Sequence, residues 1–226
     1  MLETILGGAR KSSTINPGVI NAGNAAFGYY GEVPTFITGS LLASRVGLTA
    51  GVLINDSTPW LKFSLNNKLA YIPKLPIRHS LSWADVYRAG CVYGIAGNGA
   101  FPPATGGVAQ NKRVNVNLID FYVMLLRIKD ADPTSTPIVN GSTYDLFRKC
   151  RNDWGSNWGV QTYSSSELGF PTSLTEPAAY NFLLNTYSSN ANNRLNFQFN
   201  SLTSISQISN TDNSVRMAWR PILVQV

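Results

Sequence analysis

Residues 82 to 90 read Ser82-Trp83-Ala84-Asp85-Val86-Tyr87-Arg88-Ala89-Gly90, and this segment carries the signals that bound a short helix at both ends. Ser82 can accept a hydrogen bond from the free amides of a first helical turn, and Asp85, three residues later, completes a capping box. Gly90 suits the left-handed position that follows a last turn. The segment therefore predicts a helix of about two turns over residues 82–89, with Val86 and Tyr87 facing the core and Trp83 at its rim.

A second segment further along the chain has similar signals at the two ends of a helix. Ser142 and Asp145 make another capping box, and the basic side chains of residues 148–151 fall in the last turns, where a cation favours the helix dipole. The apolar side chains recur at helical spacing, which predicts a helix over residues 143–150 with three residues facing the core: Leu146, Phe147 and Cys150.

Between and after these helices the apolar residues recur every second position, which is typical of strands. Residues 60–65 and 68–72 flank Asn66-Asn67 and predict a hairpin with an amide turn. Further strands are predicted over residues 114–118, 121–128, 195–199 and 218–226, and loops over residues 95–111, 129–141, 152–193 and 209–214. Antiparallel strands with two short helices and long loops indicate an α+β fold.

The first 58 residues are poor in charge and interrupted by glycine, so they bury little surface by themselves. Their bulky side chains nevertheless exceed what a free linker carries. We therefore expect residues 1–58 to be an extended arm, with short strands over residues 35–38 and 52–55, that docks on a partner surface; the alternative is a floppy tail. Residues 59–226 are expected to form the folded domain.

The composition narrows the class of protein. Of 226 residues, 13% are charged and 44% hydrophobic, while sixty are Asn, Ser or Thr, which disfavours both helical bundles and disorder. The net charge of +6 comes without a nucleic-acid-reading motif, so no specific nucleic-acid partner is expected. The sequence shows neither a signal peptide nor a stretch that spans a bilayer, which predicts synthesis in a cytoplasm without membrane insertion. Cys91 and Cys150 are expected to be buried thiols, with one disulfide between them as the alternative.

Five segments together resemble a recurrent part of tailed-bacteriophage virion proteins: Trp60-Leu61-Lys62-Phe63, Lys74-Leu75-Pro76-Ile77-Arg78, Ser82-Trp83-Ala84-Asp85-Val86, Ala89-Gly90-Cys91-Val92-Tyr93-Gly94 and the closing Trp219-Arg220-Pro221-Ile222-Leu223-Val224. The resemblance covers residues 60–226. It implies a C-type-lectin-like module related to formylglycine-generating and phage receptor-binding domains. Such a module has two helices, a small twisted sheet and a long loop region that carries the binding surface.

The function that this resemblance implies is a non-enzymatic structural component of the virion, associated with the tail or fibre, the collar, or the head as a decoration protein. Its partners would be other virion proteins and further copies of itself. A host-receptor protein that binds surface glycan is the first alternative. A lectin-fold enzyme or cell-wall hydrolase is the second.

Residues with catalytic chemistry are few. His79 is the single histidine, and no nucleophile motif accompanies it. The related formylglycine-generating enzymes depend on late cysteines, and this chain has none after Cys150. Six carboxylates could form a glycosidase pair, but their spacing specifies none: Asp120, Asp130, Asp132, Asp153, Glu167 and Glu176. No catalytic residue, metal site or cofactor is therefore predicted.

The best candidate binding surface is the segment 152–163, where aromatic side chains alternate with amides and hydroxyls. Flat aromatic rings stack on sugar faces or form adaptable protein interfaces, while amides bond the hydroxyl groups. The predicted binding residues are Asn152, Trp154, Asn157, Trp158 and Tyr163. The alternative is that the side chains of Trp154 and Trp158 are buried in the core and anchor a long loop.

Overall fold

The computed structural model describes residues 18–99, 106–128, 142–153, 155–171, 173, 176–186, 192–198 and 201–226. Within them the chain forms two mainly antiparallel sheets and three short helices, a mixed α+β fold. The helices are α1 (Gly39–Val46), α2 (Trp83–Arg88) and α3 (Thr143–Arg148). The strands are β1 (Ala22–Gly23), β2 (Phe27–Val33), β3 (Val52–Leu53), β4 (Trp60–Leu65), β5 (Lys68–Pro73), β6 (Arg78–His79), β7 (Arg113–Val116), β8 (Ile119–Leu125), β9 (Tyr180–Thr186), β10 (Asn193–Gln198), β11 (Ser201–Ser209), β12 (Met217–Trp219) and β13 (Pro221–Gln225).

The first sheet has seven strands in the order β1-β2-β4-β5-β13-β8-β7. The predicted hairpin at its centre is confirmed, because β4 pairs with β5 and Asn66 and Asn67 both have positive φ, as a tight hairpin turn requires. Both faces of this sheet are covered. Side chains of β5 alternate between two hydrophobic clusters, with Leu69 and Tyr71 in one and Ala70 and Ile72 in the other.

The second sheet has six strands in the order β11-β10-β9-β12-β6-β3. All neighbours pair antiparallel except β12 and β9, which run parallel. The closing motif Trp219-Arg220-Pro221 carries the chain from β12 in this sheet to β13 in the other. Arg220 is completely buried at that crossing.

The helix predicted over residues 82–89 is confirmed. Ser82 and Asp85 form the reciprocal capping box, and Gly90 has a φ of 76°. Val86 and Tyr87 are buried, as predicted. The prediction that Trp83 lies at the rim is wrong, because its indole is fully buried and donates a hydrogen bond to the carbonyl of Leu183.

The second predicted helix is confirmed as α3. The Ser142 side chain accepts a hydrogen bond from the amide of Asp145, and Leu146, Phe147 and Cys150 are fully buried. The Asp145 carboxylate lies 2.6 Å from the Arg148 guanidinium, and both side chains are buried.

Other predicted elements need correction. The strand expected over residues 35–38 is wrong, because Thr38 caps α1 there by accepting a hydrogen bond from the amide of Leu41. The strand expected over residues 52–55 is confirmed only as β3. Leu118 is not in a strand but in the two-residue turn between β7 and β8, with positive φ and 83% exposure. The loop predicted over residues 152–193 contains β9, and the loop predicted over residues 129–141 lies outside the described residues.

Residues 18–58, the described part of the N-terminal region, pack against the rest of the same chain. β1 and β2 extend the seven-stranded sheet beside β4, while β3 extends the six-stranded sheet beside β6. Leu42 and Val46 of α1 are buried in the first hydrophobic cluster. Docking of residues 1–58 on neighbouring subunits stays a prediction.

Both cysteines are free and buried, so the alternative of a disulfide is wrong. Burial in apolar surroundings raises the pKa of the Cys91 thiol to about 12 and raises the pKa of the Cys150 thiol as well. Neither thiol is therefore ionised near neutral pH, and both act as small hydrophobic side chains.

Candidate functional site

The predicted binding segment is a loop whose two ends lie side by side. The amide of Asn152 donates to the carbonyl of Tyr163 at 2.9 Å, and the amide of Tyr163 donates to the carbonyl of Cys150 at 2.7 Å. The loop therefore begins just after α3 and returns to its own starting point. Compact loops with close ends are often functional.

Trp158 fixes the middle of this loop to the domain. Its backbone amide donates to the carbonyl of Lys149 at 2.9 Å, and its indole N–H donates to the carbonyl of Leu146 at 3.1 Å. Its ring lies 5.5 Å from that of Phe27 and 6.0 Å from that of Tyr29. The half-buried indole thus connects the loop with α3 and β2, which is the anchoring role named as the alternative.

Tyr163 is also held inside, with only 5% of its surface exposed. Its hydroxyl lies 3.3 Å from the hydroxyl of Tyr29, and the Lys74 ammonium lies 4.1 Å from the centre of its ring. Lys74 in turn forms an ion pair of 2.8 Å with Glu32. Burial raises the pKa of Tyr163, so its hydroxyl stays protonated and can donate a hydrogen bond.

Sequence reasoning did not single out Glu32 and Lys74, which lie 42 residues apart. The pairing of β2 with β4 and of β4 with β5 brings them together. No local pattern marks such a contact, because it depends on which strands become neighbours. A candidate surface around Tyr163 therefore includes one acidic and one basic side chain in addition to the predicted amides.

The predicted asparagines have different roles. The side chain of Asn157 shapes the loop, because its amide nitrogen donates to the carbonyl of Asn152 and its oxygen accepts from the amide of Gly159. Asn152 is exposed, with its backbone N–H bonded to Tyr163. Trp154 lies outside the described residues. The solvent-facing part of the loop consists of small or uncharged residues with one carboxylate: Asn152, Asp153, Gly155, Ser156, Gly159, Val160 and Gln161.

The carboxylates considered for glycoside hydrolysis lie on separate elements. Asp120 is in β8, whereas Asp153 and Glu167 follow α3, and Asp130 and Asp132 lie outside the described residues. The first three have local partners: Asp120 accepts from Asn115, Asp153 from Arg151 and Glu167 from Ser164. Hydrogen bonds from Arg151 hold the pKa of Asp153 below its ordinary value, and those from Ser164 do the same for Glu167.

His79 lies in β6, and its Nδ1 is 2.8 Å from the hydroxyl of Ser80. Burial lowers the pKa of the imidazole. Within the described part of the chain, this contact with Ser80 is the one hydrogen bond that its side chain makes. A carboxylate that would orient the ring, as a catalytic triad requires, is therefore not among its described partners.

A cavity of about 330 Å³ is lined in part by Ile54, Asn55 and Ser166. Pro76, Phe170, Pro171 and Pro177 give it apolar walls, and Glu176 is also part of its lining. Behind Phe170 is the guanidinium of Arg220, 5.1 Å from the ring centre. The cavity is thus next to the point where the chain crosses between the sheets.

Among the residues described, no group of three or more His, Cys, Asp and Glu side chains is arranged to hold a metal ion. The helices in that part of the chain are all too short or too polar to cross a membrane. Compared with protein-family models, with curated proteins and with solved structures, the chain matches none.

Proposed function

We propose that the protein is a non-enzymatic structural component of a tailed-phage virion, built on a C-type-lectin-like core. The observation that carries this proposal is the arrangement of the segments that resemble virion proteins. They include most of β4 and β13 in one sheet, one residue each of β6 and β12 in the other, and most of α2, whose buried residues pack in the same cluster. Segments far apart in the sequence thus form one contiguous core.

The two short capped helices and the long loop after α3 agree with the plan of a lectin-like module. The sheets of seven and six strands are larger than the small sheet that the resemblance implies, and the N-terminal region is one reason. It adds β1 and β2 to the first sheet and β3 to the second. We infer that residues 18–58 elaborate the module.

The same N-terminal region carries a surface suited to docking on other virion proteins. Leu41, Val52 and Leu53 are 44%, 53% and 38% exposed, respectively. α1 and β3 are in contact, since a Cβ at Gly39 would lie 3.3 Å from Leu53 Cδ1. Exposed apolar side chains on two elements that contact each other are candidates for a protein interaction site. In our proposal, this N-terminal patch contacts neighbouring subunits in the particle.

The test is whether the chain is incorporated into particles. We expect peptides of the protein in gradient-purified virions at a fixed ratio to the other virion proteins. The double variant Leu41→Asp/Val52→Asp should fold but be absent from particles made in complementation. Leu118→Asp is the control, because Leu118 is 83% exposed and lies in the β7–β8 turn, and it should be incorporated normally. Wild-type protein that stays entirely in the soluble fraction of the lysate would refute the proposal.

A second candidate is glycan binding, favoured by the exposed amide and hydroxyl groups on the loop after α3. Asn152 and Gln161 are exposed on this loop and can bond sugar hydroxyls. In a glycan-array experiment, a bound glycan should lose affinity with Asn152→Ala and keep it with Ser44→Ala, an exposed change on α1. Equal binding by both variants would exclude this loop as the glycan site.

A further inference from the structure

The two sheets have four edge strands, and three of them are protected against pairing with another chain. β1 and β3 have two residues each. β7 has four residues, contains Arg113, and accepts a hydrogen bond from the Arg45 side chain of α1 at the carbonyl of Asn115. Short strands, charged residues and covering elements are the usual devices that prevent edge-to-edge association.

The fourth edge, β11, has none of these devices among the described residues. It is nine residues long, the longest strand among the described residues, and its residues are Ser, Leu, Thr, Ile and Gln. It contains neither a charged residue nor a proline, and β10 is its one neighbour in the described sheet. A strand of this kind is a template for a further strand.

The pairing of β11 with β10 identifies the backbone groups that point away from the sheet. Asn210 N–H donates to the carbonyl of Asn192 at 2.9 Å, and the register continues without a shift from Asn193↔Ser209 to Phe197↔Ile205. Hydrogen-bonded and non-hydrogen-bonded pairs alternate in an antiparallel ladder. The N–H and C=O groups of Ile205 and Gln207 therefore face outward, and no described residue outside the strand accepts or donates at these four groups.

The side chains at this end of β11 leave the edge accessible. Ser206 donates to the buried Asn196 side chain, and Ile208 packs against the first hydrophobic cluster. Gln207 and Ser209 lie on the opposite face and are exposed. The inward face thus holds the strand against the core, while none of the described residues pairs with its outer edge.

We propose that β11 pairs antiparallel with β11 of a second copy of this chain, joining two six-stranded sheets across a twofold axis. An antiparallel edge is complementary to itself, because each outward N–H meets an outward C=O of the partner. Like charges placed opposite each other would disfavour this arrangement, and β11 has no charge. Because β11 has no charge, it offers no electrostatic attraction to an acidic or basic segment of another protein. This dimer goes beyond the proposed virion role and does not depend on it.

The experiment measures the mass of the full chain by sedimentation equilibrium over a range of concentrations. Wild type is expected to be a dimer. Gln207→Pro removes an outward N–H from each copy without breaking a bond to β10, and it should weaken dimerisation by at least about tenfold. Gln207→Ala is the matched control, because both variants lose the side-chain bond from Asn193 while alanine keeps the amide.

Circular dichroism and urea unfolding verify that the variants are folded. If Gln207→Pro fails to fold, Gln207→Lys tests the same edge by placing two like charges beside the twofold axis. A dimer in wild type and Gln207→Ala that dissociates in the edge variant supports the proposal. Wild-type protein that is monomeric at all concentrations, or a dimer that no edge variant weakens, overturns it.

Discussion

Replacement of Trp158 separates the two roles considered for the loop after α3. If the indole anchors the loop, its loss must lower the free energy of unfolding. Complete burial makes a Trp→Ala change cost about 3 to 5 kcal/mol, so the half-buried Trp158 should cost about half of that. The hydrogen bond from the indole to the carbonyl of Leu146 adds about 1 kcal/mol. We expect Trp158→Ala to destabilise the protein by about 2.5 to 3.5 kcal/mol.

Trp158→Phe refines the measurement, because a phenyl ring keeps the contacts with Phe27 and Tyr29 but has no N–H group. Its expected cost is about 1 kcal/mol. Urea unfolding followed by fluorescence and circular dichroism gives these differences, provided that the slope with denaturant is unchanged. Val160→Ala is the control in the same loop, since Val160 is 38% exposed, and it should change stability by less than about 0.5 kcal/mol.

The opposite result would refute the reasoning. If Trp158 is a platform for a ligand, Trp158→Ala should leave the free energy of unfolding within about 0.5 kcal/mol of wild type and abolish binding. A loss of binding that accompanies the expected loss of stability would instead show that the indole acts by holding the loop.

Further predictions concern the helix caps, the core, the histidine and the N-terminal region. Ser82→Ala removes the cap of α2 and should cost about 0.5 to 2 kcal/mol by urea unfolding, whereas Ser44→Ala on α1 should not destabilise. Phe147→Ala should cost about 3 to 5 kcal/mol, since its fully buried ring contacts Arg220, and Phe147→Leu should cost much less. Because burial lowers the pKa of His79 in the folded state, stability should fall as the pH drops below about 6.5, the ordinary pKa, and His79→Gln should reduce that slope. Limited proteolysis should leave residues 27–53 attached to the core, because β2 and β3 are paired in the sheets; rapid cleavage within this region would contradict the pairing.

The elements that could be predicted from the sequence are those whose signals are local. The two helices with Ser and Asp three residues apart were found, as was the hairpin around Asn66-Asn67. α1 was missed because its cap, Thr38, precedes Gly39-Ser40 in a glycine-rich segment. The spacing of Leu42 and Val46, with Gly47 after them, was the signal that could have revealed it. β9 was missed because Asn181 and Asn185 interrupt its apolar residues, although Asn181 is completely buried.

The candidate site was predictable only in part, for a different physical reason. The composition of residues 152–163 marked a loop with binding chemistry, but the role of each side chain depends on what lies beneath the loop. Trp158 and Tyr163 are held inward by rings of β2, and the Glu32–Lys74 pair beside them results from strand neighbours. Such contacts connect residues that are distant in sequence, so no local pattern contains them.

The residues that carry the resemblance to virion proteins are largely buried. The resemblance therefore bears on the fold and not on the choice of partners. Arg220 of the closing motif is fully buried, donates to the carbonyls of Lys74 and Leu168, and lies 4.6 Å from the ring centre of Phe147. These contacts connect the crossing between the two sheets with the segments that follow β5 and α3, so Arg220 serves the fold. Recognition of partners must depend on exposed surfaces outside these motifs. The candidates are the N-terminal patch, the loop after α3 and the open edge of β11. Variants at these three surfaces, with the core left intact, are therefore the ones that can reveal what the protein binds.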